Sequence, residues 1–283
     1  MKCLSQMLKE QHNAIADYRS LAYRVANCYL TPLPEIVGVL LTGSVARGDA
    51  RKGPYGLHID LTVVVTDKND IDLTEIFGPS VEPYSPYHCV DIEGQVFALE
   101  VQTTRELNNI RTCWESMIFA KYESMILFDR TGLLTKWKEV AFSISDEQMH
   151  LRALQQYFRY DYLTNDYRTE KWKHRQAWMQ MAQNGNEAIE CYCNFLYCIN
   201  GWFIPRKDWL VYLTYELPEK APDHEELIIR LYKVEVTQDG IGIRGDDLLS
   251  LGLWMRHYCE QKGWLIAPNY KQKQYRLWPQ GAI

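Results

Sequence analysis

The residues with most scope for chemistry fall between positions 39 and 65, in VLLTGSVARGDARKGPYGLHIDLTVVV. A β-branched apolar run that ends in Gly43-Ser44 and turns into a helix exposes backbone N–H groups and a hydroxyl. The first turn of a helix leaves its donors unpaired and carries the positive end of the peptide dipoles. Gly43 and Ser44 are therefore candidates to cradle a phosphate. Arg47, three residues on, falls on the same side of that turn and can add a charge-assisted contact. On the next apolar run, alternation puts His58, Asp60 and Thr62 on one face and Ile59, Leu61 and Val63 on the other. An aspartate in so apolar a strand is a misfit unless something holds it. Glu100, in QVFALEVQ, repeats the anomaly on a later strand and shares a face with Ala98 and Gln102. Two carboxylates on neighbouring strands beside a phosphate turn repel each other unless a cation holds them together.

These side chains need a sheet to position them. The pattern predicts a helix over Leu4 to Tyr29, stopped by Pro32 and Pro34, then strands over EIVGVLLTGS and LHIDLTVVVT joined by a loop. YHCVDI and QVFALEVQT flank Glu93-Gly94 as a hairpin. Thr103 to Glu106 has capping-box spacing and opens a helix running to about Glu123. SMILFDRTG supplies one more strand and a turn. From Ser145, where SDEQ is a second capping box, helical period takes over: toward Asn165, then 185–203, 206–217, 224–235 and 246–262. No strand is expected after residue 135. The fold class this predicts is α+β over 1–143, a mixed sheet with helices, followed by an all-helical domain over 144–283.

The string LTGSVARGDARKGPYGLHIDLTVVV resembles the signature of the DNA polymerase β-type nucleotidyltransferase superfamily. That signature is an apolar residue, Gly, Gly or Ser, a spacer, then Asp, apolar, Asp or Glu, apolar. Here thirteen residues, 45 to 57, separate Ser44 from His58. The GSVARG form and the helical second half are most similar to the bacterial two-domain group that includes aminoglycoside nucleotidyltransferases. The resemblance implies transfer of a nucleoside monophosphate from an NTP, with ATP the first candidate, to a hydroxyl of a small-molecule acceptor under the helical domain. It also implies two divalent ions, Mg²⁺ or Mn²⁺, on His58, Asp60 and Glu100, with Asp60 and Glu100 catalytic and Gly43, Ser44 and Arg47 on the nucleotide. Glu187, with Glu190 on the same helix face, is the acid implied as a general base outside the metal cluster. One residue departs from the pattern, because His58 stands where the first aspartate belongs. Imidazole disfavours Mg²⁺ and suits Mn²⁺ or Zn²⁺ better. That departure gives the alternative reading, a catalytically impaired member of the fold acting as a ligand-binding or interaction module.

Composition narrows the field. With 31 Lys and Arg against 36 Asp and Glu, the net charge of −5 lacks the basic field of sequence-independent nucleic-acid binding. No apolar run approaches a membrane span and the N-terminal stretch does not read as an export leader, so the chain is expected to be cytoplasmic. Cys191, Cys193 and Cys198 match no zinc-ribbon spacing and are expected to act as small core residues. Arg51 and Lys52 read as solvated loop charge, and Asp67, Asp70 and Asp72 as a polar turn.

Overall fold

The computed structural model describes residues 12–50, 56–82, 86–109 and 115–265. The chain divides into two compact units, Met1–Ser143 and Ile144–Ile283.

The first unit opens with α1 (His12–Val25), which continues into a wider helical turn over Ala26–Leu30. The strands follow: β1 (Ile36–Thr42), β2 (His58–Val65), β3 (His88–Ile92), β4 (Gln95–Thr103) and β5 (Met125–Asp129). Between them lie the short helices α2 (Gly43–Arg47), α3 (Leu73–Phe77), α4 (Thr104–Asn108) and α5 (Glu115–Tyr122), and α6 (Leu133–Ala141) closes the unit. The strand order is β3-β4-β2-β1-β5. β2 and β4 run parallel and every other pair is antiparallel, so the sheet is mixed.

Alternation along β1, β2 and β4 sorts the core. Leu41, Ile59, Leu61, Val63, Phe97 and Leu99 pack on one side with Ile15, Ala22 and Val25 of α1. Leu40 and Val64 face the other side, where Leu107, Leu134 and Trp137 cover them. That second face is also the face of Asp60, Thr62 and Glu100. The β3–β4 hairpin forms around Glu93 and Gly94, both at positive φ (57° and 77°), which is the backbone a two-residue hairpin turn needs. Both expected capping boxes form, Thr103 with Glu106 and Ser145 with Gln148.

The second unit is all helix among its described residues: α7 (Asp146–Thr164), α8 (Asp166–His174), α9 (Trp178–Ile199), α10 (Lys207–Leu210), a 3₁₀ turn at Tyr212–Glu216, α11 (His224–Tyr232) and α12 (Gln238–Gln261). α7, α9 and α12 surround a core in which Tyr160, Tyr192, Phe195 and Tyr197 are almost fully buried. α12 begins eight residues before the expected 246 and runs through Gly240, Gly242 and Gly245. α8 was not anticipated, and the helix expected at 206–217 is α10 plus the 3₁₀ turn. Residues 1–11 of the expected first helix lie outside the described residues. No described helix is long and apolar enough to cross a membrane.

Cys191, Cys193 and Cys198 are buried in α9. Burial pushes the Cys191 thiol up to about 12 and that of Cys198 to about 11, so they behave as small apolar residues.

Candidate functional site

The β1–β2 ladder sets Thr42 opposite Asp60. The chain then turns at Gly43, where φ is +67°. A Cβ at that position would stand 1.9 Å from Asp60 Oδ2, so only glycine lets the carboxylate lie over the start of α2. Register and the bare glycine together bring the turn and the aspartate side by side. α2 ends at Gly48, at φ +98°, whose N–H bonds the Ser44 carbonyl. Arg19 of α1 fastens α2 from behind, donating to the carbonyls of Val45 and Ala46.

Arg47 is the last residue of α2. Its Nε lies 3.3 Å from Asp49 Oδ1 and its guanidinium 5.9 Å from the centre of the Phe119 ring. Glu123 is drawn into the same group: burial raises its proton affinity, while Arg47 and Lys138 pull it down. Arg51 and Lys52 lie outside the described residues.

His58 and Asp60 lie on β2 and Glu100 on the neighbouring β4, all on one face of the sheet. In the parallel β2–β4 register Asp60 faces Ala98, whereas Glu100 faces Thr62, one row further along. There Glu100 accepts a hydrogen bond from Gln102 Nε2 at 2.7 Å and an ion pair from Lys121 Nζ at 3.1 Å. Lys121 also donates to Thr62 Oγ1 at 2.6 Å. His58 turns instead toward Glu82, with Nε2 3.3 Å from Oε2. Among the described residues, no three His, Cys, Asp or Glu side chains are grouped to hold a metal ion. As they stand, His58 and Glu100 are engaged by Glu82 and Lys121 rather than grouped with Asp60 around one metal position.

Lys121 is the residue that sequence reasoning missed. Its side chain is 7% exposed, and burial lowers its proton affinity while Glu100, first, and Asp60 raise it. α5 thus places an ammonium beside Glu100 on this face. A signal was present, since Lys121 ends the run MIFAK, where a lysine follows four apolar residues in a helix. Cys89 completes the row from Thr42 through Asp60 and Ala98. Burial pushes its thiol up, with Glu82 and Asp60 adding to the effect.

In the helical unit, Glu187 accepts from Arg159 Nε at 2.8 Å and from Nη2 of the same side chain, and Glu190 pairs with Lys207 at 3.0 Å.

No protein-family model and no curated protein matches the chain. Among solved structures, a nucleotidyltransferase-like protein from Exiguobacterium sibiricum is similar at 12% identity and a TM-score of 0.42, over 81% of this chain and 73% of that one. A likeness at that level carries no argument about function, which has to come from the residues.

Proposed function

We propose that the N-terminal unit binds a nucleoside triphosphate, ATP first among candidates, with its phosphates at the Gly43-Ser44 turn, and transfers the nucleoside monophosphate to a hydroxyl of a small acceptor. The observation that carries this reading is the seat of Asp60 over Gly43. A turn whose backbone donors suit phosphate oxygens stands beside one carboxylate, as the motif requires.

In such a transfer the acceptor oxygen attacks the α-phosphorus in line. The new O–P bond forms as the bond to the β-phosphate oxygen breaks, and pyrophosphate leaves with that electron pair. The hydroxyl proton passes to a carboxylate, for which Asp60 is the candidate. The triphosphate brings its own Mg²⁺ or Mn²⁺ as part of the substrate. Lys121 supplies fixed positive charge near Asp60, and catalysis then rests on positioning and on neutralising charge as it develops.

A second reading, a binding module without turnover, is favoured by one observation: Glu100 is already neutralised by Lys121, so a resident metal has little to hold it. Pyrophosphate release from ATP and GTP with a panel of hydroxylated acceptors, wild type against Asp60→Asn, separates the two. Turnover lost in Asp60→Asn supports transfer. Equal background rates in both, with nucleotide still bound, support the module.

A further inference from the structure

The helical unit holds a feature that neither the phosphate turn nor the transfer reaction uses. α8, α9 and the first half of α12 line a cavity of about 160 Å³, with Trp172, Gly185, Gly242, Arg244 and Gly245 in its wall. Arg244 is 3% exposed. It donates from Nη1 to the Ala182 carbonyl at 3.0 Å and from Nη2 to Asn186 Oδ1, both neutral acceptors on α9. Its Nε–H, and the indole Nε1–H of Trp172, have no acceptor among the described residues. A buried guanidinium with only neutral partners lacks counter-charge.

The glycines point the same way. Glycine inside a helix is destabilising relative to alanine. At Gly240 packing explains it, since a Cβ would stand 2.3 Å from the Glu235 carbonyl oxygen. At Gly242 and Gly245 a Cβ would meet nothing within 4 Å, and neither has a positive φ. Gly242 is exposed to solvent, whereas half-buried Gly245 leaves open space in the cavity wall. Gly185, facing them, lets Arg244 lie against α9, because a Cβ there would come 3.0 Å from the guanidinium carbon.

We infer that this cavity is a ligand site anchored by Arg244, and that it takes a small molecule carrying an oxyanion, either a carboxylate or a phosphate monoester. The planar guanidinium fork suits both groups. Asp166 and Asp246 also line the wall, so the remainder of the ligand offers donors such as hydroxyl or ammonium groups. An open groove lined by Gln176, Trp178 and Gln238 shares Lys173, Ile241 and Gly242 with the cavity and leaves room for a longer molecule.

The test uses the full chain with ¹⁵N-labelled tryptophan, the Trp172 indole resonance being assigned by its loss in Trp172→Phe. Inorganic phosphate, glycerol 3-phosphate and glycerate are titrated in turn to about 10 mM, a range that captures millimolar affinity. The site predicts a saturable shift of the Trp172 resonance with at least one of the hydroxylated acids, and the responding arm identifies phosphate or carboxylate. Arg244→Gln should weaken that response roughly tenfold or more. Gly245→Leu, which fills the cavity, should weaken it similarly while the melting temperature holds or rises, a pairing that lost folding cannot produce. No saturable shift with any probe overturns the site, as does an undiminished shift in Gly245→Leu, and Gly245→Leu stands alone if Arg244→Gln fails to fold.

Discussion

Lys121 Nζ stands 3.1 Å from Glu100 Oε2, with Thr62 Oγ1 bridging the same ammonium at 2.6 Å. The pair is largely buried, the two side chains being 7% and 23% exposed. Desolvating such a pair opposes its attraction, so its net stabilisation is modest, but removing one partner strands the other. Lys121→Met should therefore destabilise the protein by about 3 kcal/mol, and adding Glu100→Gln should recover more than half of that loss. Urea denaturation of the two variants checks this; losses that simply add would show that the two side chains are not coupled.

The same pair fixes an expectation about metal. With an ammonium already beside Glu100 and His58 engaged by Glu82, Mg²⁺ or Mn²⁺ alone should leave the melting temperature of the nucleotide-free protein unchanged at millimolar concentration. A thermal melt with each ion measures it. A rise abolished by Glu100→Gln would restore the metal-ligand role that the sequence suggested for Glu100.

Gly43→Ala combines an unfavourable left-handed backbone with a clash against Asp60. Its cost should be about 2 kcal/mol from backbone strain, with the clash added. In an Asp60→Ala background the clash disappears and the strain remains, so the second loss should be smaller than the first. A double-mutant cycle by denaturant unfolding reads the difference.

Most of the fold was legible because periodicity reports burial: the apolar faces of β1, β2 and β4 and the helical second half follow from spacing two and spacing three-to-four. Gly43 and Asp60 were legible for a related reason, since a glycine at a strand end and an acid inside an apolar strand are each hard to explain by packing alone. The rest depended on registers that spacing does not encode. Glu100 sits one row from Asp60 because β4 pairs with β2 in parallel with Thr62 opposite Glu100, and a single sequence cannot fix that offset. Lys121 sits 21 residues from its partner. α12 starts at Gln238 rather than 246, and its first turns carry Gly240, Gly242 and Gly245, which lower helical propensity there.

His224 offers a test of packing in the helical unit. It is 3% exposed, its Nδ1 meets Tyr192 Oη at 2.9 Å and its Nε2 meets Thr214 Oγ1 at 2.8 Å. The Thr214 hydroxyl donates to the Val211 carbonyl, so it accepts from Nε2–H, and Tyr192 then donates to Nδ1. Both nitrogens are satisfied in the neutral ring, and burial pushes its pKa from 6.5 down to about 4. Between those values the unfolded chain binds the proton and the folded one does not. This contribution is complete above pH 6.5 and is lost as pH falls toward 4, amounting to about 3 kcal/mol at most. His224→Gln should flatten the stability–pH slope across that window, measured by urea unfolding at several pH values.

The central claim is that the turn at Gly43 and the carboxylate of Asp60 form a nucleotide site. Titration calorimetry with ATP and with GTP, each with Mg²⁺ or Mn²⁺, tests it most directly. The expected result is saturable binding of at least one nucleotide to the wild-type protein, weakened roughly tenfold or more in Gly43→Ala while that variant remains folded by circular dichroism. No binding of either nucleotide with either ion, or binding that Gly43→Ala leaves unchanged, would contradict the claim.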